Sequence, residues 1–359
     1  MSVLWTDLLV NGIAGAVLAA ILGFIALPLV LRFAWKKQWL DIPDERKLHD
    51  APTPRVAGLV FFPVILAVVL ILSTREEINS FPRPIIGLLF GCTFVYMIEF
   101  IDDLRSVSWK SKFIMQGVAA MLLILCGVWL RDLGGILGIH EIPPIVGIPL
   151  SIVLIVLVIN ALNLIDGIDG LAGFLCLIAM AAMFTWYYSI GLRTYLLLSA
   201  ATGGVLIPFL YHNIWGTNEK QNKTFMGDTG SQILGFIISF LVMFLVSLPL
   251  KGGTTTCLVD GFALVALPVL DLVRLFFWRI IHGRSPFQPD ANHIHHKLMR
   301  CGLSPRLTLV VLIALDLVFV LGNHLLYPSV NINLLLLMNI GFWMLVNGVV
   351  NLRLKRVAK

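Results

Sequence analysis

The chain alternates long apolar runs with short polar segments, and the runs are apolar on all sides rather than along one stripe. Most runs approach 20 residues, about the length of a helix that crosses the roughly 30 Å hydrocarbon core of a bilayer. We therefore predict an all-α polytopic integral membrane protein that forms a single domain over residues 1–359. The pattern predicts eleven spans, at about 8–34, 57–73, 84–101, 113–130, 146–163, 168–189, 194–212, 231–249, 258–281, 307–326 and 332–351.

Composition supports a membrane protein over a soluble one. Hydrophobic residues make up 58% of the 359 positions and charged residues only 13%, and the mean hydropathy is +0.93. A soluble domain averages roughly 45–50% apolar and about 25% charged residues. The net charge of +6 does not indicate a nucleic-acid partner, and the spacing of the five cysteines predicts neither a metal site nor a disulfide framework.

Basic residues are distributed unevenly between the two faces that eleven spans create. Twenty-one Lys and Arg fall on one face and five on the other. The positive-inside rule places the richer face in the cytoplasm. An odd number of spans then puts the N-terminus outside and the C-terminus in the cytoplasm. All the polar clusters described below fall on the cytoplasmic side.

The segment 160–170 carries a stripe of amide and carboxylate side chains between the fifth and sixth spans. Asn160, Asn163, Asp166 and Asp169 recur at every third position, with two glycines among them. Residues three apart share a helix face, and we expect the two spans to be nearly continuous through this stripe. Ionisable residues at the end of a membrane segment are costly, so the stripe is a candidate functional site.

Two further acidic clusters lie at the ends of predicted spans. Asp102 and Asp103 end the third span, one turn after Glu99. Adjacent carboxylates repel each other unless a cation is near. The pair is therefore either a solvated helix end or a site that binds a metal or a proton. Asp228 precedes the eighth span between two glycines. It either caps that helix or binds a hard cation through oxygen ligands.

Two basic segments complete the cytoplasmic face. His293, His295 and His296 follow a proline-stiffened loop that contains Arg284. They are either a surface histidine run or donors to phosphate oxygens. The basic loop 44–55 is either an ordinary juxtamembrane loop attracted to anionic lipid or part of the same site.

One membrane face thus offers carboxylates that favour a cation such as Mg²⁺ and basic groups that favour phosphate. A polyanionic substrate bridged by a metal satisfies both requirements. The surrounding hydrocarbon favours a lipid as one partner. From the residues alone, we predict metal-assisted phosphoryl transfer onto or off a lipid phosphate.

The motifs, taken in order, resemble those of the polyprenyl-phosphate N-acetylhexosamine-1-phosphate transferase superfamily. Within it, the chain is most similar to the UDP-GlcNAc:undecaprenyl-phosphate GlcNAc-1-phosphate transferases. The matching motifs are Arg46-Lys47-x-His49 with Pro52, Pro54 and Arg55; Asp102-Asp103 with Lys112 and Gln116; Asn160-Ala161-x-Asn163-Leu164-x-Asp166-Gly167-x-Asp169-Gly170; Phe225-Met226-Gly227-Asp228-Thr229-Gly230-Ser231; Leu267-Pro268-x-x-Asp271; and His293-x-His295-His296-x-Leu298.

The resemblance implies a reaction and a role for several of the matching residues. N-acetylhexosamine 1-phosphate would pass from a UDP-sugar to undecaprenyl phosphate in a bacterial inner (plasma) membrane, with the active site on the cytoplasmic face. Mg²⁺, or Mn²⁺ in its place, would be held by Asp228 and Asp103, and Asp102 would be the base or would hold the metal or the lipid. The implied substrate-binding residues are Lys47, His49, Asn163, Asp166, Asp169, Asn213, Arg284, His293, His295 and His296.

The sequence departs from the family pattern at several positions and leaves alternatives open. Glu99 stands where a small residue is usual, and the segment 216–223 replaces a shorter proline-containing link, so the sugar nucleotide is not fixed. The alternatives are a proton-coupled transporter and a phospho-MurNAc-pentapeptide translocase. A homodimer is also left open, since a span that faces lipid resembles one that faces a second subunit.

Overall fold

The computed structural model describes residues 2–42, 51–74, 81–104, 107–248, 254–286 and 291–357. Lys47 and His49, two predicted substrate contacts, lie outside the described residues. Within the described residues the chain forms thirteen helices and one small hairpin. They are α1 (Ser2–Lys37), α2 (Gly58–Leu72), α3 (Arg83–Leu104), α4 (Trp109–Leu125), β1 (Asp132–Ile136), β2 (Ile139–Glu141), α5 (Pro144–Ile165), α6 (Leu171–Ser189), α7 (Arg193–Trp215), α8 (Gly227–Ser247), α9 (Thr254–Ala263), α10 (Ala266–Ile281), α11 (Ile294–Arg300), α12 (Pro305–Leu326) and α13 (Ile332–Val357).

Eight of these helices are long and apolar enough to cross a membrane, so the chain is a multi-pass, almost entirely helical membrane protein. The number becomes nine if α9 and α10, which meet at a bend of 74°, form one broken crossing. The remaining two predicted spans fall on the shorter helices α2, of 15 residues, and α4, of 17 residues. Every predicted span therefore coincides with a helix or with the bent pair, while eleven complete crossings stay a prediction.

The hairpin between α4 and α5 was not predicted from the sequence. Strands β1 and β2 are antiparallel, and two consecutive glycines of β1, Gly134 and Gly135, have positive φ. Glycine adopts such angles without steric cost, and here two of them permit a tight, irregular strand. The Leu137 N–H at the turn donates to Asn333 Oδ1 of α13 at 2.7 Å, which ties the hairpin to the last helix.

Helices α7 and α8 form the centre of the bundle and are buried along most of their length. Helix α8 packs against α3 and α5, and α1 packs along α7. Helices α1, α12 and α13 keep many exposed apolar side chains, as expected of helices that face lipid. Helix α8 begins at Gly227, so Asp228 lies in its first turn. Because α8 is at the centre of the bundle, Asp228 lies close to the ends of several other helices.

The polar stripe 160–170 is not nearly continuous helix, and that expectation was wrong. Helix α5 ends at Ile165 and α6 begins at Leu171. Gly170 has a φ of +82°, a left-handed conformation that no α-helix contains, and its N–H donates to Asn213 Oδ1 at 2.7 Å. Asn160 and Asn163 therefore lie on α5, while Asp166 and Asp169 lie in the turn that follows.

Candidate active site

Three carboxylates from two helices surround one ammonium group at the predicted cytoplasmic end of the bundle. Lys112 Nζ, in the first turn of α4, lies 2.5 Å from Asp102 Oδ2, 2.7 Å from Asp228 Oδ2 and 3.0 Å from Glu99 Oε2. Glu99 and Asp102 come from the last turns of α3, and Asp228 from the first turn of α8. Packing of α3 against α4 and α8 thus brings together acidic motifs that are more than 120 positions apart in sequence.

The position of Asp228 is set by a close contact between two backbone segments. The Gly58 N–H donates to Met226 O at 2.9 Å, and the Phe225 N–H donates to Pro54 O at 2.9 Å. A Cβ atom on Gly58 would lie 2.1 Å from the backbone nitrogen of Gly230. The start of α2 and the start of α8 therefore meet with no room for a side chain, which fixes the turn that carries Asp228.

Arg55 provides a second cation for the same carboxylate. Its guanidinium donates to Asp228 Oδ1 at 3.1 Å and lies 3.9 Å from Asp41 Oδ1. Burial alone would lower the pKa of Arg55, but the nearby charges of Asp228, Asp41, Asp103 and Asp166 outweigh it and raise that pKa. Arg55 also lines a cavity of about 410 Å³ together with Asp102, Asp103 and Asp228. The cavity gives a charged ligand access to these groups.

The two adjacent aspartates are held in different ways. Asp103 Oδ2 accepts a hydrogen bond from Thr229 Oγ1 at 2.6 Å. Asp102 Oδ1 accepts one from the Val107 N–H at 2.6 Å, while its other oxygen pairs with Lys112. Asp102 therefore lies within the cluster around Lys112, whereas Asp103 is anchored to the residue after Asp228.

The stripe contributes amide donors beside Asp228. Asn163 Nδ2 donates to Ser231 Oγ at 2.9 Å and to Asp228 Oδ1 at 3.3 Å. One turn deeper, Asn160 donates to Gln116 Oε1, and Gln116 donates to Gln232 Oε1, both at 2.7 Å. These hydrogen-bonded amides join α5, α4 and α8 one turn away from the carboxylates and fix the positions of the three helix ends relative to one another.

The turn after α5 carries the two aspartates of the stripe in different surroundings. Burial, joined by the charges of Asp228 and Asp169 and opposed by Arg55, raises the pKa of Asp166 to about 7. Asp169 pairs with Lys223 Nζ at 2.5 Å and accepts a hydrogen bond from Asn213 Nδ2 at 3.2 Å. The same Asn213 amide donates to Thr224 O at 2.8 Å. Asn213 thus joins the turn to the segment that leads to Asp228.

The histidine motif packs against the stripe, as its predicted membership of one site requires. His293 Nδ1 lies 2.9 Å from Asp271 Oδ2, and Arg274 donates to Asp271 Oδ1 at 2.8 Å. His295 is 1% exposed, and both of its ring nitrogens lack a hydrogen-bond partner in the described residues. Burial lowers its pKa to about 3, so the ring is neutral at physiological pH. Its imidazole lies against Gly167, where a Cβ atom would be 2.1 Å from Nε2.

The remaining predicted contacts lie at the edge of this arrangement. The His296 ring contacts that of His295, with centroids 4.2 Å apart. Arg284 is exposed just after α10, and its guanidinium lies over the Trp278 ring at 5.5 Å. Direct contact of Arg284 and the histidines with a substrate stays a prediction.

Several residues that lie in the site carried no predicted role from the sequence. Lys112, Arg55, Thr229 and Lys223 all contact a predicted site carboxylate. The signal that could have identified them is charge balance. A group of buried carboxylates needs nearby cations, and Lys112 lies in the first turn of the helix that follows the Asp102-Asp103 pair.

The chain is similar in sequence to known proteins. The profile of glycosyl transferase family 4 matches residues 85–246, which include Asp102, Asp103, the stripe and Asp228. The chain is 29% identical over 342 residues to the "Probable undecaprenyl-phosphate N-acetylglucosaminyl 1-phosphate transferase" of Bacillus subtilis, covering 93% of this chain and 92% of that protein.

Two further relatives are more similar over somewhat shorter stretches. The undecaprenyl-phosphate alpha-N-acetylglucosaminyl 1-phosphate transferase of Pasteurella multocida is 34% identical over 294 residues, 79% of this chain and 77% of that protein. The decaprenyl-phosphate N-acetylglucosaminephosphotransferase of Mycobacterium leprae is 32% identical over 315 residues, 80% of this chain and 77% of that protein. With this similarity over most of its length, the chain belongs to glycosyl transferase family 4 and, within it, to the polyprenyl-phosphate N-acetylhexosamine-1-phosphate transferase superfamily.

Proposed function

We propose that this protein transfers N-acetylhexosamine 1-phosphate, and specifically GlcNAc 1-phosphate, from a UDP-sugar to undecaprenyl phosphate. The reaction releases UMP and starts the assembly of a lipid-linked glycan. The observation that carries the proposal is the meeting of Asp228, Asp102 and Glu99 around Lys112, beside Arg55 and a cavity of about 410 Å³. At a membrane face, the carboxylates can bind the metal of a diphosphate, and the cations beside them can bind the phosphate oxygens of the diphosphate and of a lipid phosphate.

A divalent metal fits the oxygen donors present. Glu99, Asp102 and Asp228 each offer an oxygen within 4.8 Å of the others, and Mg²⁺ binds carboxylate oxygens in preference to nitrogen or sulfur. Asp228 is the proposed principal ligand, with Asp103 as the second contact that the family resemblance implies. When bound, Mg²⁺ or Mn²⁺ would supply charge neutralisation for the diphosphate.

The chain's own residues would orient the two phosphates for an in-line displacement. An oxygen of the lipid phosphate forms a bond to the β-phosphorus of the UDP-sugar. The bond from that phosphorus to the bridging oxygen breaks, and UMP leaves with the electron pair. Arg55 and Lys112 would contact the phosphate oxygens, and the stripe would bind the nucleotide through Asn163, Asp166 and Asp169.

Asp102 is the proposed acceptor of any proton on the attacking phosphate. A phosphate monoester has a second pKa near 6, so roughly nine-tenths of it is already a dianion at neutral pH. Asp102 pairs with Lys112 and lines the cavity, which places its carboxylate within reach of a phosphate bound there. Lys47, His49, Asn213, Arg284 and the three histidines remain proposed substrate contacts, with the sugar-phosphate end assigned to the histidines.

The proposed setting is the bacterial plasma membrane, with eleven crossings, the N-terminus outside and the active site in the cytoplasm. The excess of basic residues on one face supports this orientation. Reporter fusions at residue 359 should give a cytoplasmic signal. A periplasmic signal there would invert the proposed orientation.

A panel of sugar-labelled UDP-sugars tests the activity. Membranes that contain the protein, undecaprenyl phosphate and Mg²⁺ should move label from UDP-GlcNAc into the lipid extract, and chelation of the metal should stop the transfer. Preference for UDP-MurNAc-pentapeptide would instead indicate the translocase reaction. Absence of label in the lipid with every donor would refute transferase activity and favour the transporter.

A further inference from the structure

The cluster around Lys112 has the shape of a cation site that the protein fills with its own ammonium. The three carboxylate oxygens of Glu99, Asp102 and Asp228 lie within 4.8 Å of one another, and Lys112 Nζ is 2.5–3.0 Å from each. One ammonium carries a single charge against three carboxylates. Arg55 offsets part of the Asp228 charge through its other oxygen, but the group as a whole stays under-neutralised.

Glu99 points into this cluster from a buried position. It is 1% exposed, and within the described residues its Oε2 atom meets the Lys112 ammonium at 3.0 Å without a donor in hydrogen-bond geometry. By contrast, Asp102 Oδ1 accepts from the Val107 N–H. A buried carboxylate is costly unless a cation or a donor compensates it, so a cation at this point stabilises Glu99.

We propose that Lys112 is an exchangeable internal cation, whose ammonium occupies the position of the divalent metal until the metal displaces it. Glu99 then becomes a metal ligand beside Asp102 and Asp228. The inference rests on the proposed metal dependence and adds to it a specific ligand and a specific competitor. The three oxygens lie 2.5–3.0 Å from Lys112 Nζ, so each needs to move inward by about 0.4–0.9 Å to meet a metal with bonds of about 2.1 Å.

The exchange follows from size and charge. An ammonium and a dication cannot share one position, and the dication neutralises the three carboxylates better. Lys112 is half-buried rather than enclosed, and the cavity beside Asp102 gives its side chain room to leave. The released ammonium would then be available to a substrate phosphate, so metal entry and phosphate binding are coupled through one side chain.

Metal binding to the purified, substrate-free protein tests the ligand set. Free Mn²⁺ is measured by electron paramagnetic resonance as the protein is titrated, for the wild type, Glu99→Gln, Lys112→Met and Glu141→Gln. Glu99→Gln and Glu141→Gln remove the same charge by the same substitution, but Glu141 is exposed in β2, at the opposite end of α5 from the site. We expect at least tenfold weaker Mn²⁺ binding for Glu99→Gln, less than a threefold change for Glu141→Gln, and at least tenfold tighter binding for Lys112→Met. Wild-type affinity in Glu99→Gln, or an equal loss in Glu141→Gln, would overturn the ligand assignment.

Chemical labelling of the wild-type protein tests the exchange itself and needs no variant. Acetic anhydride modifies only uncharged, accessible amines, and mass spectrometry reports the rate at Lys112 and, as an internal reference, at Lys220. We expect Lys112 to be protected without metal and acetylated at least fivefold faster when Mn²⁺ is bound, while Lys220 is unaffected. Unchanged or slower labelling of Lys112 with Mn²⁺ would show that the ammonium stays in place, and would overturn the inference.

Failure of this inference is distinct from failure of the proposed function. Both measurements use metal alone and no sugar nucleotide. A protein that transfers GlcNAc 1-phosphate but keeps Lys112 protected retains the proposed function and loses the exchange. A protein that exchanges Lys112 for Mn²⁺ but labels no lipid retains the exchange and loses the transferase.

Discussion

Substitution of Gly58 by alanine tests whether the contact between α2 and α8 positions the Asp228 carboxylate. A Cβ atom at this position would lie 2.1 Å from Gly230 N, 2.4 Å from Gly230 Cα and 2.9 Å from Met226 O. All three are backbone atoms and cannot rotate away. Since an ordinary contact needs at least 3.4 Å, the two helix ends must separate by more than about 1 Å.

That separation moves the turn that carries Asp228. Overpacking of this kind costs about 1–3 kcal/mol of stability, and a misplacement of about 1 Å at a reacting centre costs about 100-fold in rate. We expect Gly58→Ala to remain folded, to lose about 100-fold in transfer rate and to melt at a lower temperature. Rates come from label in the lipid extract, and melting from the purified protein in detergent.

Gly322→Ala is the matched control. It lies within α12, and a Cβ atom there would meet nothing within 4 Å, so it should keep wild-type activity and be neutral or stabilised by up to about 1 kcal/mol. Wild-type activity and stability in Gly58→Ala would refute the view that this contact sets the site.

Three further predictions concern the groups around the stripe. Burial lowers the pKa of His295 to about 3, so the unfolded chain binds a proton at higher pH than the folded chain does. The free energy of unfolding should therefore fall as pH drops from about 6.5 towards 3, by up to about 1.4 kcal/mol per pH unit. In His295→Asn, the melting temperature should depend less steeply on pH. Because the pKa of Asp166 is raised to about 7, this side chain becomes ionised as pH rises through 7. The affinity for the sugar nucleotide, measured by calorimetry, should increase over that range. In Asp166→Asn the affinity should change less with pH. Asn213→Ala leaves the Gly170 N–H and the Thr224 carbonyl without a partner, which should cost about 1–3 kcal/mol for each group and raise the KM for the sugar nucleotide; an unchanged KM would show that the turn does not depend on this amide.

The gathering of the motifs was predictable because it depends on rules that act along the chain. Apolar run length gives the positions of the helices, and each predicted span falls on a helix or on the bent pair α9–α10. The excess of basic loops on one face predicts that Asp102, the stripe and Asp228 lie on the same side. In the structure, Asp102 and Asp228 both contact Lys112, and Asn163 of the stripe donates to Asp228.

Local geometry was less predictable, because it depends on contacts between distant segments. The stripe was expected to be nearly helical, yet it breaks at Ile165 since Gly170 adopts a left-handed conformation held by Asn213 of another helix. Sequence spacing likewise could not reveal that Asp102 faces Lys112 while its neighbour Asp103 faces Thr229. The burial of His295 against Gly167 arises only when α11 packs on the turn.

In the proposed reaction the sugar moves together with its phosphate. The most direct test uses UDP-GlcNAc labelled with tritium in the sugar and with ³²P in the β-phosphate, supplied to membranes that contain the wild-type protein or Asp228→Asn. We predict that both labels enter the lipid extract in equal amounts, that UMP is released, and that Asp228→Asn transfers neither. Tritium in the lipid without ³²P would mean that UDP leaves instead, and Mg²⁺-dependent transfer by Asp228→Asn would contradict the role given to that carboxylate.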